Sequence, residues 1–566
     1  MKKFLLLLLS CSLLAVGDDS KIARDLRDQS GDSVVDVIVQ YKVAPTQKHK
    51  DRIAVHGGQL KNDLQLIRGV AASVPASKIR DLSDDPDVAY VAPDRTVTGS
   101  LNYVTAAAGA NYAWQQGYDG NGIGVAVIDS GINPAGSDFN TTPTSKTSRI
   151  VYSQNFTTDK GTNDTYGHGT HVASIVAGNG AASICSTCFV TFKGMAPNVK
   201  LINLRVLNGT GAGQDSWVIS AIQTAINLKT TYNIRVINLS LGRPVYESYT
   251  QDPLCQAVEQ AWKAGIVVVV AAGNDGRNNS AGTNGYGTIA APANDPYAIT
   301  VGAMKTLDTM STSDDQIASY SSKGPTLFDH VVKPDLVAAG NRVVARISSG
   351  GYVVNNFTVN KIPLSYYQNP GSTIASPYYY KLSGTSMAAG VVSGAVADLL
   401  EAHPSLTPDQ VKARLIKTAA KSFPQYSSVV DPATGLTYTS QYDVLTVGAG
   451  SLDLAAALMN NDLPTLSAKS PAVQYDPSTQ SVYFVNDSAA LWGSAALWGS
   501  AAIWGSHSFV GDQAALWGSA ALWGSAALWG SSDTSGFAAL WGSAALWGSS
   551  TNTAGEATTL LVTGEN

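Results

Sequence analysis

The feature that most constrains the fold is a recurrence of short apolar runs with helical stretches between them. From Trp114 to about Met459, strand candidates stand at Gly124–Ile128, Lys200–Val206, Val236–Leu241, Ile266–Ala271 and Ala298–Val301, and helical stretches at Thr170–Ala177, Asp215–Leu228 and Pro253–Ala264. Apolar runs without alternation are strands buried on both faces. Strands that alternate with helices pair in parallel, so this span predicts an α/β fold with a doubly wound, mostly parallel sheet. Residues Arg346–Tyr380, rich in Gly, Ser, Asn, Pro and Tyr, break the rhythm and read as a surface insertion.

Upstream the texture differs. Lys2 and Lys3 precede an apolar stretch, Phe4 to Val16, and Ala15-Val16-Gly17 is a small-residue cleavage pattern, so residues 1–17 read as a signal peptide. That stretch is short for a bilayer span, and no later run is apolar enough for one. A secreted protein is expected, with a lipid anchor on Cys11 as the lesser alternative. Next, Val34–Val39, Gly69–Val74 and Val88–Val91 read as strands, and Lys48–Gly57 and Ala76–Ser83 as helices. Their order suggests a small β-α-β-β-α-β open-faced sandwich at residues 33–98. A Thr-, Ala- and Gly-rich stretch, Thr96–Gly109, then offers a processing site, ahead of a larger domain at 105–460.

Residues 461–566 form an extension of another kind. From Ala489 the hexapeptide Ala-Ala-Leu/Ile-Trp-Gly-Ser recurs, placing eight of the 11 tryptophans between Trp492 and Trp547. A six-residue period divides by two and poorly by 3.6, which fits strand-like stacking better than helix. A flexible low-complexity extension is the competing reading.

Bulk chemistry removes several function classes. The chain is 14% charged with a formal net charge of −5, which gives no electrostatic case for nucleic acid. Cys185 and Cys188 form a lone C-x-x-C; a zinc site would want a second pair, so a small loop-closing disulfide is expected. Cys255 reads as a buried small hydrophobe on a helix.

Four motifs carry chemistry. Asp129 ends an apolar strand and is followed by Ser130-Gly131, which puts a carboxylate at the sheet edge where α/β proteins bind ligands. His168 stands in Gly-His-Gly-Thr-His at the start of a predicted helix, a place for a neutral imidazole base. A metal pair with His171 fails on spacing, since the two are three apart with no Glu between them. Ser386, in Leu382-Ser-Gly-Thr-Ser-Met-Ala-Ala-Gly390, opens a small-residue helix, and a serine needs such a base to become a nucleophile. Asn274 ends the strand Val270-Ala-Ala-Gly273 and can aim an amide at a developing oxyanion.

The order Asp129, His168, Asn274, Ser386 resembles the subtilisin-like serine proteases, the subtilases. Further matching segments are Gly194–Pro197, Ile237–Gly242, Ser321–Pro325, Lys333–Leu336 and Gly448–Ala455, and Val34–Pro93 looks like that family's pro-region. The resemblance implies a serine endopeptidase acting on polypeptides, with its own pro-domain as intramolecular inhibitor and chaperone, and self-cleavage within Asp94–Ala110. It implies that Asp129 orients His168, His168 deprotonates Ser386, and Asn274 with the Ser386 N–H holds the oxyanion. Substrate would pair with Ser240-Leu241-Gly242, and Ala271-Ala272-Gly273 would wall the specificity pocket. These stretches are small and uncharged, so a broad specificity with some apolar or aromatic preference is expected.

Three departures stand out. Gly390 and Ala339 occupy positions where the family usually has proline, and Cys185–Cys188 lies in a loop where some relatives bind calcium. No oxygen-rich cluster stands there. No metal or cofactor is expected for the chemistry, and structural calcium elsewhere is left open. The rival expectation is a weak or inactive subtilase-fold protein that binds through its Trp-repeat tail.

Overall fold

A computed structural model describes residues 21–23, 26–27, 31, 33–94, 100–431, 434–465, 467–476, 481–484, 561 and 564–565. The segment read as a signal peptide and the Trp repeats lie outside the described residues. The chain divides into two units, Met1–Val97 and Thr98–Asn566.

The first unit contains β1 (Val34–Tyr41), α1 (Gln47–Val55), β2 (Gln59–Leu64), β3 (Gly69–Pro75), α2 (Ile79–Ser83) and β4 (Val88–Pro93). Its strands form one antiparallel sheet in the order β2-β3-β1-β4. Val37, Val39, Val70, Ala72, Val74 and Val91 pack with Ile53, Ile79 and Leu82 of the helices. Sequence reading named no residues for β2. Gln-Leu-Lys-Asn-Asp-Leu is a charged edge strand, mostly exposed, with no buried face to betray it.

The second unit opens with α3 (Ser100–Ala107) and α4 (Ala110–Gln115). Most of the Thr-, Ala- and Gly-rich stretch read as offering a processing site is therefore helical. Val104 and Ala108 are buried in the main core, and the Leu454 N–H donates to the Ala108 carbonyl at 3.1 Å.

The central sheet holds β5 (Gly124–Asp129), β6 (Ile150–Asn155), β7 (Lys200–Arg205), β8 (Ile234–Leu239), β9 (Val267–Ala271), β10 (Ile299–Lys305), β11 (Gln316–Ile317) and β12 (Leu336–Ala339). The order is β11-β10-β9-β8-β5-β7-β6, with β12 also on β10. Every pair is parallel except β10 with β11. All six residues of β5 and all five of β9 are buried, as strands covered on both faces must be. One face packs against α5 (His168–Ala177) and α10 (Thr385–Ala402), the other against α6 (Asp215–Asn227) and α8 (Pro253–Lys263), with the short α7 (Lys229–Tyr232) leading into β8.

Arg346–Tyr380 is not the surface insertion expected. β13 (Val343–Arg346), α9 (Tyr352–Asn356), β14 (Lys361–Pro363) and β15 (Ala375–Leu382) build a three-stranded antiparallel sheet, β13-β15-β14. Tyr367 and Tyr379 are buried edge-on against Phe192, with ring centroids 5.6 and 4.7 Å away. A polar, loop-like composition hid a tyrosine core.

The chain closes with α11 (Pro408–Thr418), β16 (Tyr426–Val430), β17 (Thr437–Gln441), α12 (Val444–Val447), α13 (Leu454–Met459), β18 (Val473–Asp476) and β19 (Ser481–Phe484). Beyond residue 460 it still packs on the sheet. Ser470 accepts from Lys412 Nζ at 2.9 Å and donates to buried Asp335, and the Val473 N–H donates to the His330 carbonyl at 2.9 Å. Cys185 and Cys188 form a disulfide, and Cys255 is buried and free on α8. No helix among the described residues is long and apolar enough to cross a membrane.

Candidate active site

Asp129 is the last residue of β5 and is fully buried. Its Oδ1 accepts the Ser130 N–H at 2.7 Å. The turn that follows needs glycine. Gly131 has φ +108°, and a Cβ there would stand 2.7 Å from the Thr162 carbonyl oxygen. The helix that answers this strand comes equally close, since a Cβ on Gly169 would lie 2.3 Å from the Gly131 oxygen. The glycines of Asp-Ser-Gly and Gly-His-Gly therefore serve one contact.

That contact carries His168. His168 is the first residue of α5, and its Nδ1 lies 2.8 and 3.0 Å from the two Asp129 oxygens. Burial pushes its pKa down, but the Asp129 charge and hydrogen bond, with Asp164 behind them, outweigh this and the net shift is upward.

Asp164 was not singled out from the sequence. Fully buried, it accepts from the Ser130 hydroxyl (2.8 Å), the Gly167 N–H (2.6 Å) and the Thr170 N–H (2.8 Å). It thereby satisfies orphan donors at the entry of α5 and ties them to the residue after Asp129. The signal available was an Asp four residues before His168, which reads locally as a turn residue.

His171 faces away from this chemistry. Its Nε2 lies 3.1 and 3.0 Å from the Val343 and Tyr380 carbonyls, and burial lowers its pKa to about 3. A neutral ring donating from Nε2 pins α5 to β13 and β15.

Ser386 is the second residue of α10, entered through Gly384 at φ +152°. Asn274 reaches this turn from the end of β9. Its Oδ1 accepts the Thr385 N–H at 2.9 Å and lies 3.1 Å from the Thr385 hydroxyl, so the amide nitrogen is the end left to donate. Ser240 locks the same turn from β8, its hydroxyl donating to the Ser386 carbonyl at 2.8 Å. The Ser386 hydroxyl donates to the Ser240 carbonyl at 3.3 Å, and no hydrogen bond joins it to His168 among the described residues. Such bonds are often loose before substrate binds.

A family model described as the subtilase family matches residues 120–451, a span that holds Asp129, His168, Asn274 and Ser386. The chain belongs to the subtilase family. It is 34% identical over 366 residues to "Serine protease AprX" of Bacillus subtilis (strain 168), covering 62% of this chain and 74% of that one. It is 33% identical over 376 residues to "Subtilisin E" of the same organism, covering 66% of this chain and 81% of the relative. "Subtilisin-like protease SBT6.1" of Arabidopsis thaliana is 29% identical over 339 residues, which are 58% of this chain and 26% of that protein. This subtilase is a serine endopeptidase acting on polypeptides.

The remaining residues singled out from the sequence line the ends of β8 and β9 in this subtilase. Among the described hydrogen bonds, none involves the backbone of Leu241 or Gly242. Ala271 and Ala272 are buried on opposite faces of the sheet, and Gly273 has φ +109° with Ser322 Oγ 2.7 Å from where a Cβ would stand. Ala339 is buried in the same core as α10. Gly390 lies where α10 packs against α5, and a Cβ there would be 3.3 Å from Ile175 Cγ2. Among the described residues, no group of three or more His, Cys, Asp or Glu is placed to hold a metal ion.

Proposed function

We propose that this subtilase is a secreted endopeptidase that works through an Asp129–His168–Ser386 triad and an acyl-enzyme, and that it matures by cutting its own chain. The observation that carries the reading is the bonding of His168 Nδ1 to Asp129, which leaves Nε2 as the basic nitrogen. In the reaction His168 Nε2 takes the Ser386 proton as Oγ attacks the scissile carbonyl. The oxyanion receives the Asn274 amide and the Ser386 N–H, which has no acceptor among the described hydrogen bonds. Collapse expels the amine, which takes the proton from His168. Water, activated by the same imidazole, then releases the acid and restores Ser386.

Leu241 and Gly242, whose backbones make no hydrogen bond among the described residues, suit pairing with an extended substrate. Ala271-Ala272-Gly273 would wall the pocket for its side chain. The short apolar leader after Lys2 and Lys3 and the Cys185–Cys188 disulfide support export to an oxidising compartment.

The first unit acts as inhibitor and folding chaperone in this reading. A parallel-sheet protease has many contacts distant in sequence and folds slowly unaided. Because Val104 and Ala108 belong to the core of the second unit, the cut falls between Asp94 and Ser100 and not within α3. Expression of the chain beside Ser386→Ala tests the whole scheme. The unaltered chain should shorten to an N-terminus in that interval and cleave casein, while Ser386→Ala stays full length and inert. A full-length, inactive product from both would refute it.

A further inference from the structure

Outside the active site, residues beyond the Trp repeats are bound into the second unit. Glu565 is fully enclosed in the second unit, and Leu561 four residues before it packs against the main core. Its Oε1 accepts from Arg277 Nη2 at 2.7 Å, from the Ser319 N–H at 2.9 Å and from the Ser319 hydroxyl. Lys305 Nζ lies 3.3 Å from Oε2. The backbone of Glu565 is read as well. Asn341 donates from Nδ2 to the Glu565 carbonyl and accepts the Glu565 N–H at Oδ1, both at 2.8 Å. The Ser383 N–H donates to the Leu561 carbonyl at 2.9 Å.

Lys305 makes these contacts a built receptacle. Its side chain is 4% exposed, and Glu565 is its one ion-pair partner among the described residues. A buried ammonium without a counter-ion is costly, so this pocket is organised for a carboxylate. A side-chain amide that pairs with both polar groups of one residue selects a peptide, not a free anion. Gly564 is also required, since a Cβ there would stand 2.3 Å from Ser383 Oγ.

We propose that Arg277, Lys305, Ser319, Asn341 and Ser383 form a binding site for an acidic peptide segment whose resident ligand is this chain's own Leu561, Gly564 and Glu565. The chain that follows the repeat segment is thereby fastened to the catalytic unit at Glu565. The site adjoins the active site through sequence as well. Ser383 lies three residues before Ser386, and Arg277 three after Asn274. Filling it braces the two turns that carry them.

The test reads binding and thermal unfolding, and needs no catalysis. In a Ser386→Ala background, which prevents self-digestion, a chain ending at residue 560 is titrated with the synthetic peptide Leu-Val-Thr-Gly-Glu-Asn in a calorimeter. One-to-one binding is expected, at least about tenfold weaker when the peptide carries Gln for Glu, with no binding to the full-length chain, whose site is filled. In the full-length chain Glu565→Gln should lower the unfolding midpoint by roughly 3 °C or more, and adding Lys305→Met should recover part of that loss. If the shortened chain does not fold, the full-length comparison decides alone. Equal binding of the two peptides, no binding to a folded shortened chain, or an unchanged midpoint in Glu565→Gln would overturn the proposal.

Discussion

Asn274 holds Thr385 through its Oδ1, which accepts the Thr385 N–H at 2.9 Å and so fixes which end of the amide is free. The proposed oxyanion role of this side chain can be separated from its hold on Thr385. Asn274→Asp keeps an acceptor for Thr385 and removes the donor. It should lower kcat by roughly 10²–10³ with little change in KM or in the unfolding midpoint. Steady-state kinetics beside calorimetry will check this, and an unaltered kcat would remove Asn274 from the oxyanion site.

Asp164 should behave as a positioning residue. Asp164→Ala leaves the Gly167 and Thr170 N–H groups and the Ser130 hydroxyl without their acceptor. Unpaired buried donors cost about 1–3 kcal/mol each, so the variant should unfold several degrees lower. Its kcat should fall further than its KM rises, because the entry of α5 carries His168. A variant as stable and as active as the parent would contradict this role.

The pH profile follows from the upward shift of His168. Catalysis needs the neutral ring, so kcat/KM should fall as pH drops through a value above the ordinary histidine value of 6.5. The sign for stability is opposite. A raised folded pKa stabilises the charged pair below the unfolded value, and that contribution is lost as pH rises through the folded value. Asp129→Asn removes the charge that lifts the ring and should move the acid limb downward while reducing kcat. Rate measurements across the acid limb will show both effects.

Gly390 and Gly394 make different demands on α10. A Cβ on Gly394 would lie 2.4 Å from Met195 Cβ and 3.1 Å from the Val176 oxygen. Gly394→Ala should therefore destabilise by about 1–3 kcal/mol through overpacking. At Gly390 the nearest atom is Ile175 Cγ2 at 3.3 Å. There the helical gain of up to about 1 kcal/mol for alanine offsets the crowding, and Gly390→Ala should be close to neutral. Denaturant unfolding of the two variants, side by side, will separate them.

The central sheet was legible because β5, β9 and β10 are largely apolar and fully buried, and β7 and β8 are mostly apolar and buried along nearly their whole length. The motif residues were legible for a related reason. Gly131 and Gly169 must be glycine so that Asp129 and His168 can approach, which leaves a short recognisable pattern. What escaped reading was chemistry split across distance. Asp164 gains its meaning only beside Ser130, and the Tyr367, Tyr379 and Phe192 cluster forms from segments whose composition reads as loop. Glu565 escaped for the same reason, since its partners lie more than 200 residues away. β2 was lost because a charged edge strand carries no apolar period.

In the proposed mechanism Ser386 is a nucleophile activated by His168. Reaction with a fluorophosphonate reagent, followed by peptide mass mapping, tests this most directly. The matured protein should gain one phosphonyl group on Ser386, at a rate that falls at least about a hundredfold in His168→Ala. Modification at another serine, or labelling of Ser386 that is indifferent to His168, would contradict it.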